Sequence, residues 1–315
     1  MVHDWYAGRV RGARTRSVSR RRAGRKGRDT LWAYALLSPS LIGVAAFLLI
    51  PIVAVFAISF YHWSLLGVPS FAGLGNYQEM IKDPQVLGSL LSSIYYVVLD
   101  IPLQTSLAMI VALLLNRSIK GTGAFRALFV LPWLATPVVM GIIWQWLLDP
   151  AHGALNGALH AVGITGPAWL SDAHWAMPTI VAVNLWQYTG YISLFYLAGL
   201  QNIPPVYYEA SQLDGANSWK TFWTITVPLL HPTTYFVLIT EVIGSFQVFD
   251  TIYVMTSGGP GDATRVLNYS IFTTAFQDFQ MGYASAISVL LFFVLLLSAV
   301  FITLFFRRRT TYDMS

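Results

Sequence analysis

The chain has 315 residues, of which 56% are hydrophobic and only 10% are charged. Soluble domains carry roughly a quarter charged residues, so this composition excludes a soluble globular protein and predicts a polytopic integral membrane protein. The sequence contains no cysteine, which excludes disulfide bonds, thiolate metal sites and catalysis by a thiol.

The basic residues are unevenly distributed along the chain. Ten of the 19 Lys and Arg residues lie before residue 31, between Arg9 and Arg28. A pI near 9.4 is also typical of nucleic-acid-binding proteins, but the rest of the chain has no basic face with interleaved aromatic residues, so no nucleic-acid partner is expected. We expect residues 1–29 to form a disordered cytoplasmic tail that acts as a topology signal, with contact to anionic membrane lipid as the alternative role.

Six stretches are apolar and long enough to cross a membrane as helices, since a span needs about 20 mostly apolar residues. They cover approximately residues 31–60, 88–115, 127–148, 176–200, 233–254 and 284–306. The first is too long for one straight span, so its beginning is expected at the interface and Pro39 and Pro51 are expected to bend it. Its apolar run also exceeds the roughly 7–15 residues of a signal-peptide core, which favours a retained helix.

The distribution of Lys and Arg predicts the orientation of the chain. With a cytoplasmic N-terminus, 17 of the 19 lie in cytoplasmic segments and only Lys82 and Arg265 lie in outer loops. Positive residues concentrate on the cytoplasmic side of membrane proteins, so both termini are predicted to be cytoplasmic. The expected fold is an all-α integral membrane protein with six transmembrane helices. Its expected parts are the tail at 1–29, a six-span domain at 30–310 and a second cytoplasmic tail at 311–315.

The segment between the fourth and fifth predicted spans differs from the other loops. Pro204 and Pro205 are typical of a helix start, and Gly215 is placed to end that helix in the left-handed conformation. A second short helix is expected over about residues 218–227, with its end at Pro228. The pattern predicts a compact cytoplasmic helix–turn–helix whose small residues allow another protein to approach closely. An ordinary interhelical loop is the alternative.

This segment resembles the EAA loop of the permease subunits of binding-protein-dependent ABC importers, which contains the coupling helix of that family. The matching residues are Glu209-Ala210-Ser211, Asp214-Gly215-Ala216, Phe222, Ile225, Pro228 and Pro232. Ser211 stands where the family usually has Ala, and it is small enough to pack closely. The residues through which the resemblance implies coupling to an ATPase are Glu209, Ala210, Ser211, Asp214, Gly215 and Ala216.

Three further stretches resemble the carbohydrate-type branch of the same family. They are Gly73-Leu74-Gly75-Asn76-Tyr77, Phe125-Arg126 with Leu131-Pro132, and Phe249-Asp250-Thr251-Ile252-Tyr253 running into Thr256-Ser257-Gly258-Gly259-Pro260. The resemblance covers most of residues 30–310. The ending Phe306-Arg307-Arg308-Arg309, followed by Tyr312-Asp313, resembles permeases of the glycerol-phosphate type.

The resemblance implies a division of labour between several subunits in the plasma membrane of a prokaryote. The expected partners are a second homologous permease, two cytoplasmic ABC ATPase subunits and an extracytoplasmic solute-binding protein. The sequence has no GxxxxGK[ST] phosphate-binding loop, so ATP is expected to bind to the partner ATPases. We expect a permease for a sugar or sugar-like solute that is not an enzyme and has no cofactor of its own.

Polar and aromatic side chains recur on one face of the fourth predicted span and on one face of the fifth. Amides hydrogen-bond hydroxyl groups, and aromatic rings stack on the apolar faces of a sugar, so these faces are predicted to line the solute pathway. The predicted pathway residues are Asn184, Gln187, Tyr188, Tyr191, Gly244, Gln247 and Asp250. Hydrogen bonding to neighbouring helices is the alternative for these groups, and for Asp250 in particular.

Asp100 and Glu241 also lie within predicted spans, where each carboxyl group is expected to face protein or a wet cavity. A proton relay through them would indicate an ion-coupled secondary transporter, which is the alternative function. The six histidines show no ligand spacing, so no metal site is predicted, and no catalytic dyad is visible. No Lys or Arg lies within a predicted span, which weighs against direct pairing with the phosphate of glycerol 3-phosphate or of a glycerophosphodiester.

Overall fold

The computed structural model describes residues 21–117 and 121–307, and most of these residues are helical. The first helical stretch consists of α1 (Arg21–Val44), a π-helical turn (Ala45–Leu49) and α2 (Ile50–Ile58). Helix α1 begins at Arg21, within the stretch 1–29 that the sequence predicts as a disordered tail. Residues 1–20 and the tail at 311–315 lie outside the described residues, so the prediction for these tails stays a prediction.

A small hairpin follows α2. It pairs β1 (Tyr61–His62) with β2 (Ser70–Phe71) in antiparallel register, and α3 (Gly75–Lys82) comes next. Asn76 is only 1% exposed, and its Nδ2 donates to the carbonyl oxygens of Ser59 at 2.8 Å and Tyr61 at 3.0 Å. The stretch at residues 73–77 therefore fastens α3 to the start of the hairpin.

The remaining helices follow in two groups. The first group is α4 (Pro84–Leu115), α5 (Thr122–Leu134), α6 (Pro137–Leu147), α7 (Ala154–Ala161) and α8 (Ala173–Gln201). The second group is α9 (Pro205–Leu213), α10 (Ser218–Thr221), α11 (Val227–Leu229), α12 (His231–Phe246), α13 (Asp250–Met255), α14 (Leu267–Phe272) and α15 (Met281–Arg307). Two π-helical turns, at Phe222–Thr226 and Thr273–Gln277, lie between helices of the second group.

The core of residues 55–307 forms around α4 and α8. Buried residues of α4 recur every three or four positions from Val86 to Leu115, which is the spacing of one helix face. That face packs on α8, whose central residues are buried on most sides. Asp83 caps the start of α4 by accepting a hydrogen bond from the backbone N–H of Gln85 at 2.8 Å.

Four described helical stretches are long and apolar enough to span a membrane: Trp32–Ile58, Pro84–Leu115, His231–Met255 and Met281–Arg307. They correspond to the first, second, fifth and sixth predicted spans. The fourth predicted span is the 29-residue helix α8, which is less apolar because it carries Asn184, Gln187 and several aromatic hydroxyl groups. The count of six spans and the cytoplasmic placement of both termini stay predictions.

The third predicted span is not a straight helix. Residues 127–148 fall on α5 and α6, which meet at an angle of 93°. Pro137 begins α6, and the residue before a proline is disfavoured in the helical conformation. Thr136 accordingly has extended backbone angles, and the helix is interrupted between Leu134 and Pro137.

Gly190 brings the backbone of α8 unusually close to that of α5. A methyl group at this position would overlap the carbonyl oxygen of Phe129. Two further contacts join the same elements, since Gln187 Nε2 donates to the carbonyl oxygen of Ala135 at 3.1 Å and the rings of Trp133 and Tyr191 stack with centroids 4.2 Å apart. The bent pair is thus held against the middle of α8.

Candidate functional site

A polar cavity of about 260 Å³ lies between α4, the break of the bent pair, α8, α12 and α13. It is lined by side chains that are mostly polar or aromatic. These are Tyr96, Asp100, Gln104, Trp133, Pro137, Asn184, Tyr188, Tyr191, Ile192, Thr240, Glu241, Gly244, Ser245, Gln247, Val248, Phe249, Asp250 and Thr251.

Six of the seven predicted pathway residues line this cavity. They are Asn184, Tyr188, Tyr191, Gly244, Gln247 and Asp250. Gln187 does not belong to the lining: its side chain is fully buried and binds the carbonyl oxygen of Ala135 at the break between α5 and α6. Its amide therefore stabilises an interrupted helix, as the alternative of bonding to neighbouring helices describes.

Sequence reasoning missed the contribution of α4. Tyr96, Asp100 and Gln104 all line the cavity, and their spacing of four residues places them on one face of α4. The four-residue spacing is visible in the sequence. Of these three residues, however, the sequence predicts a role only for Asp100, whose carboxyl group is expected to face protein or a wet cavity. Glu241 also lines the cavity, so both intramembrane acids face a polar space as expected.

Hydrogen bonds fix part of the cavity wall. Asn184 Nδ2 donates to the Tyr96 hydroxyl at 2.7 Å and to Thr251 Oγ1 at 3.2 Å, which joins α8 to α4 and α13. Ser245 Oγ donates to Asp100 Oδ2 at 2.6 Å. The Asn184 amide thus has a structural role, and its buried carbonyl oxygen has no hydrogen-bond partner among the described residues.

The second candidate site is the segment that begins with α9. Pro204 is the N-cap of α9 and Pro205 is its first residue, as predicted. Gly215 has a φ of +73°, which confirms the predicted left-handed conformation. The N–H of Ala216 donates to the Ser211 carbonyl oxygen and that of Gly215 to the Gln212 carbonyl oxygen, both at 3.0 Å. This pattern is a Schellman motif, the usual helix ending at a glycine.

The predicted coupling residues do not all face outward. Glu209, Ala210, Asp214 and Gly215 are exposed and Ala216 is half-buried, whereas Ser211 is 7% exposed. The Ser211 hydroxyl lies 2.7 Å from Thr221 Oγ1, so it holds α9 against α10. Ser211 therefore stabilises the packing of α9 on α10, and with it the position of the exposed residues of α9.

The second short helix of this segment differs from its prediction. The helical conformation does not stop at Pro228, because α10, the π-helical turn and α11 continue to Leu229. Pro228 lies just after the π-helical turn, where the N–H of Val227 donates to the Phe222 carbonyl oxygen and the usual i→i−4 pattern of hydrogen bonds is already interrupted. The segment consequently leads into α12 with only Leu230 between them.

Comparison with known proteins decides the family. Residues 104–312 match the family described as the inner membrane component of binding-protein-dependent transport systems. The chain belongs to this family. The permease therefore lies in the inner membrane, and its family consists of transport components rather than enzymes.

Curated relatives cover most of the permease. The Probable ABC transporter permease protein YesP of Bacillus subtilis is 36% identical over 90% of this chain and 92% of its own length. The sn-glycerol-3-phosphate transport system permease protein UgpA of Agrobacterium fabrum is 33% identical over 89% and 96%. The Trehalose/maltose transport system permease protein MalF of Thermococcus litoralis is 34% identical over 86% and 92%.

A solved structure has the same fold. A chain from the crystal structure of a bacterial ABC transporter involved in the import of the acidic polysaccharide alginate aligns with a TM-score of 0.80. The alignment covers 92% of the permease and 100% of that chain at 23% identity. At this identity the likeness concerns the fold alone. The family and the curated relatives give the chain the function of an ABC importer permease and leave no support for the ion-coupled secondary transporter.

Proposed function

We propose that the permease forms half of the translocation pathway for a sugar or sugar-like solute and is driven by a separate ATPase at its cytoplasmic face. The observation that carries this proposal is the polar cavity between α4, α8 and α12. It combines aromatic rings with hydrogen-bonding groups in the middle of membrane-spanning helices, where polar groups mark solute pathways. The named relatives that transport trehalose and maltose or sn-glycerol 3-phosphate support the same solute class.

The cavity is suited to a polyhydroxylated solute for a chemical reason. Hydroxyl groups of the solute find amide and carboxyl partners in Gln247 and Asp250, while Tyr188 offers a ring for the apolar face of a sugar. Tyr191 is less available for such stacking because one of its faces is covered by Trp133, with the two ring planes only 4° apart.

The ATPase is proposed to dock on the segment of α9 and α10. Glu209, Ala210, Asp214 and Gly215 are exposed there, and a prominent apolar residue lies beside them, since Leu213 is 90% exposed. Trp219 of α10 is 70% exposed. Exposed large apolar residues next to a rigid helix end are typical of a protein contact, and the Schellman motif fixes their relative positions.

The proposed partners complete the mechanism. A second homologous permease supplies the other half of the pathway, two ATPase subunits bind and hydrolyse ATP, and an extracytoplasmic binding protein delivers the solute. A binding-protein partner also agrees with a similar permease chain, 22% identical, in a structure with an alginate pentasaccharide-bound periplasmic protein. Closure of the ATPases is proposed to favour an outward-open cavity, and hydrolysis resets it.

The test is purification of the complex through a tag on this chain, followed by reconstitution into vesicles. We expect an ABC ATPase and a second permease to copurify, and ATP hydrolysis and uptake to rise together when solute-loaded binding protein is added. Uptake that follows an ion gradient and continues without ATP would contradict the proposal. The solute retained by the purified binding protein identifies the cargo.

A further inference from the structure

The charges around the cavity are of one sign. Three of its lining residues, Asp100, Glu241 and Asp250, carry carboxyl groups, and none of the described lining residues is Lys, Arg or His. Asp100 and Glu241 are buried at 5% and 9% exposure, whereas Asp250 is exposed at the start of α13. Protonated or ionised, a carboxyl group never supplies a positive charge, so the described lining has no positively charged group to pair with an anion.

The hydrogen bonds of Asn184 limit the donors that the cavity wall offers to a solute. Asn184 is 4% exposed, and its amide nitrogen donates both of its hydrogens, to Tyr96 and to Thr251. Its carbonyl oxygen has no partner among the described residues, although buried polar atoms are normally paired. The wall that carries the three carboxyl groups therefore receives no amide N–H donor from Asn184.

The other polar residues of the lining do not add a positively charged donor. Ser245 and Gln104 direct donors within the protein, to Asp100 Oδ2 and to Thr189 Oγ1. Gln247 and the tyrosine hydroxyl groups offer uncharged donors, which bind hydroxyl groups as well as anions. The faces of aromatic rings such as that of Tyr188, which lines the cavity, are electronegative and attract cations.

We infer that the half of the pathway formed by this permease selects solutes rich in hydrogen-bond donors, uncharged or carrying a protonated amine, and disfavours solutes with a phosphate or carboxylate group. This inference rests on the proposed function, because it assigns the cavity to the solute pathway. It narrows the solute class and separates this chain from relatives named for sn-glycerol 3-phosphate.

The absence of cysteine allows the charge preference of the cavity to be measured without knowledge of the solute. Gly244→Cys places a single thiol in the cavity, at a position where an added Cβ meets no atom within 4 Å. The probes are three methanethiosulfonate reagents of similar size that carry a trimethylammonium, a sulfonate or a hydroxyl group. Their rates are measured on the purified complex in detergent, with its second permease and ATPases present, and are normalised to a free thiol.

A matched control lies in α7. Gly157→Cys is also a glycine replacement without neighbours within 4 Å, and the residue is exposed outside the cavity. Relative to this control, we expect the cationic reagent to outpace the anionic one in the Gly244→Cys variant by about tenfold or more, since a cleft lined by one sign of charge concentrates the opposite ion. Adding Asp250→Asn to Gly244→Cys is expected to reduce the preference, because Asp250 is an exposed carboxyl group of the lining.

The outcomes separate the inference from the function on which it rests. Equal rates for the two charged reagents, or a faster anionic reagent, overturn the inference while the accessible thiol still supports a pathway. Failure of all three reagents with the Gly244→Cys variant, with normal labelling of the Gly157→Cys variant, overturns the assignment of the cavity to the pathway and the inference with it. A cationic preference that persists unchanged in the variant with Asp250→Asn also overturns the role of this carboxyl group.

Discussion

The hydroxyl group of Ser245 donates to Oδ2 of Asp100 at 2.6 Å and joins α12 to α4 across 145 positions of the chain. Both residues are buried and both line the polar cavity. A carboxyl group at membrane depth is costly unless it is hydrogen-bonded or hydrated, and this bond meets part of that requirement. Tyr96 and Gln104 lie one helical turn before and after Asp100 on α4, so they face the same space.

Ser245→Ala is expected to destabilise the permease. The change removes the described donor to Asp100, and losing a hydrogen bond to a carboxyl group costs roughly 1–3 kcal/mol. The midpoint of thermal unfolding of the purified complex measures the effect, and Ser245→Thr is expected to restore most of the stability. Thr240→Val is the matched control, because Thr240 lines the cavity but bonds only to the Phe236 carbonyl oxygen of its own helix. Equal losses in Ser245→Ala and Thr240→Val would contradict a special role for the Asp100 bond.

Gln247→Ala is expected to lower uptake, whereas Gln187→Ala is expected to lower stability. Gln247 lines the cavity and is exposed, so its loss is expected to lower uptake about two- to tenfold at subsaturating solute, with unchanged stability. Gln187 binds the Ala135 carbonyl oxygen, and its loss leaves that oxygen without this donor at the break of the bent pair. We expect roughly 1–3 kcal/mol of lost stability for Gln187→Ala. Uptake and thermal unfolding are measured for both variants. Normal uptake in Gln247→Ala would contradict the assignment of Gln247 to the solute pathway.

Gly190→Ala is expected to be among the most disruptive small substitutions. Its methyl group overlaps the Phe129 carbonyl oxygen, a backbone atom that cannot rotate away, so about 1–3 kcal/mol or more is lost. Gly244→Ala makes the same exchange in a membrane-spanning helix with no atom within 4 Å of the added methyl group. The yield of assembled complex and its unfolding midpoint are expected to fall only for Gly190→Ala. A fall of equal size in both variants would point to the flexibility of glycine rather than to the contact.

Gly215→Val is expected to uncouple the ATPase while the membrane helices still insert. A β-branched residue in the left-handed conformation is strained by about 1–2 kcal/mol, which disturbs the Schellman motif beneath Glu209 and Asp214. Gly215→Asn is the matched control, because Asn tolerates this conformation and also adds a side chain. The measurements are ATP hydrolysis with and without loaded binding protein, and retention of the ATPase in a pull-down.

The Val and Asn variants distinguish two possible causes of lost coupling: the left-handed backbone conformation of Gly215 and the open space next to it. Loss of coupling in the Val variant alone identifies the backbone conformation as the important feature, whereas loss in both variants identifies the space above Gly215, which is open in this chain. If the assembled Gly215→Val complex hydrolyses ATP at the normal stimulated level, the proposed role of this segment in coupling is contradicted.

The topology prediction is tested by single cysteines in the cysteine-free chain. Ser171→Cys lies at an exposed position before α8 and is expected to react with a membrane-impermeant thiol reagent in intact cells. Ser17→Cys and Ser315→Cys are expected to react only after permeabilisation, because the distribution of Lys and Arg places both termini in the cytoplasm. Reaction of Ser315→Cys from outside would leave an odd number of spans.

Local signals in the sequence were sufficient for some parts of the molecule. The start of α9 and the left-handed Gly215 depend on proline and glycine, whose backbone preferences act over a few residues. Five of the predicted cavity residues, Asn184, Tyr188, Tyr191, Gly244 and Gln247, followed from helical periodicity, because residues on one face of α8 or of α12 meet the same space. These features require no knowledge of distant contacts.

Other features depend on contacts between distant residues. Gln187 shares a helix with Asn184, but its partner is a carbonyl oxygen 52 positions away, which becomes available only because α5 and α6 separate. Pro132 and Pro137 are visible in the sequence, yet apolar periodicity does not distinguish a continuous span from a pair bent by 93°. Ser211 faces α10 rather than a partner because α10 folds back on α9, which no local pattern specifies.

The close approach at Gly190 bears on how the permease moves. Three contacts join α8 to the bent pair: the glycine against Phe129, the Gln187 amide on Ala135 and the stacked rings of Trp133 and Tyr191. No side chain lies between the backbones at the first of these, so no rotamer change is available to accommodate sliding. Conformational changes in proteins combine rigid-body rotations with shear between packed elements. We expect α8 and the bent pair to travel as one rigid body when access to the cavity changes.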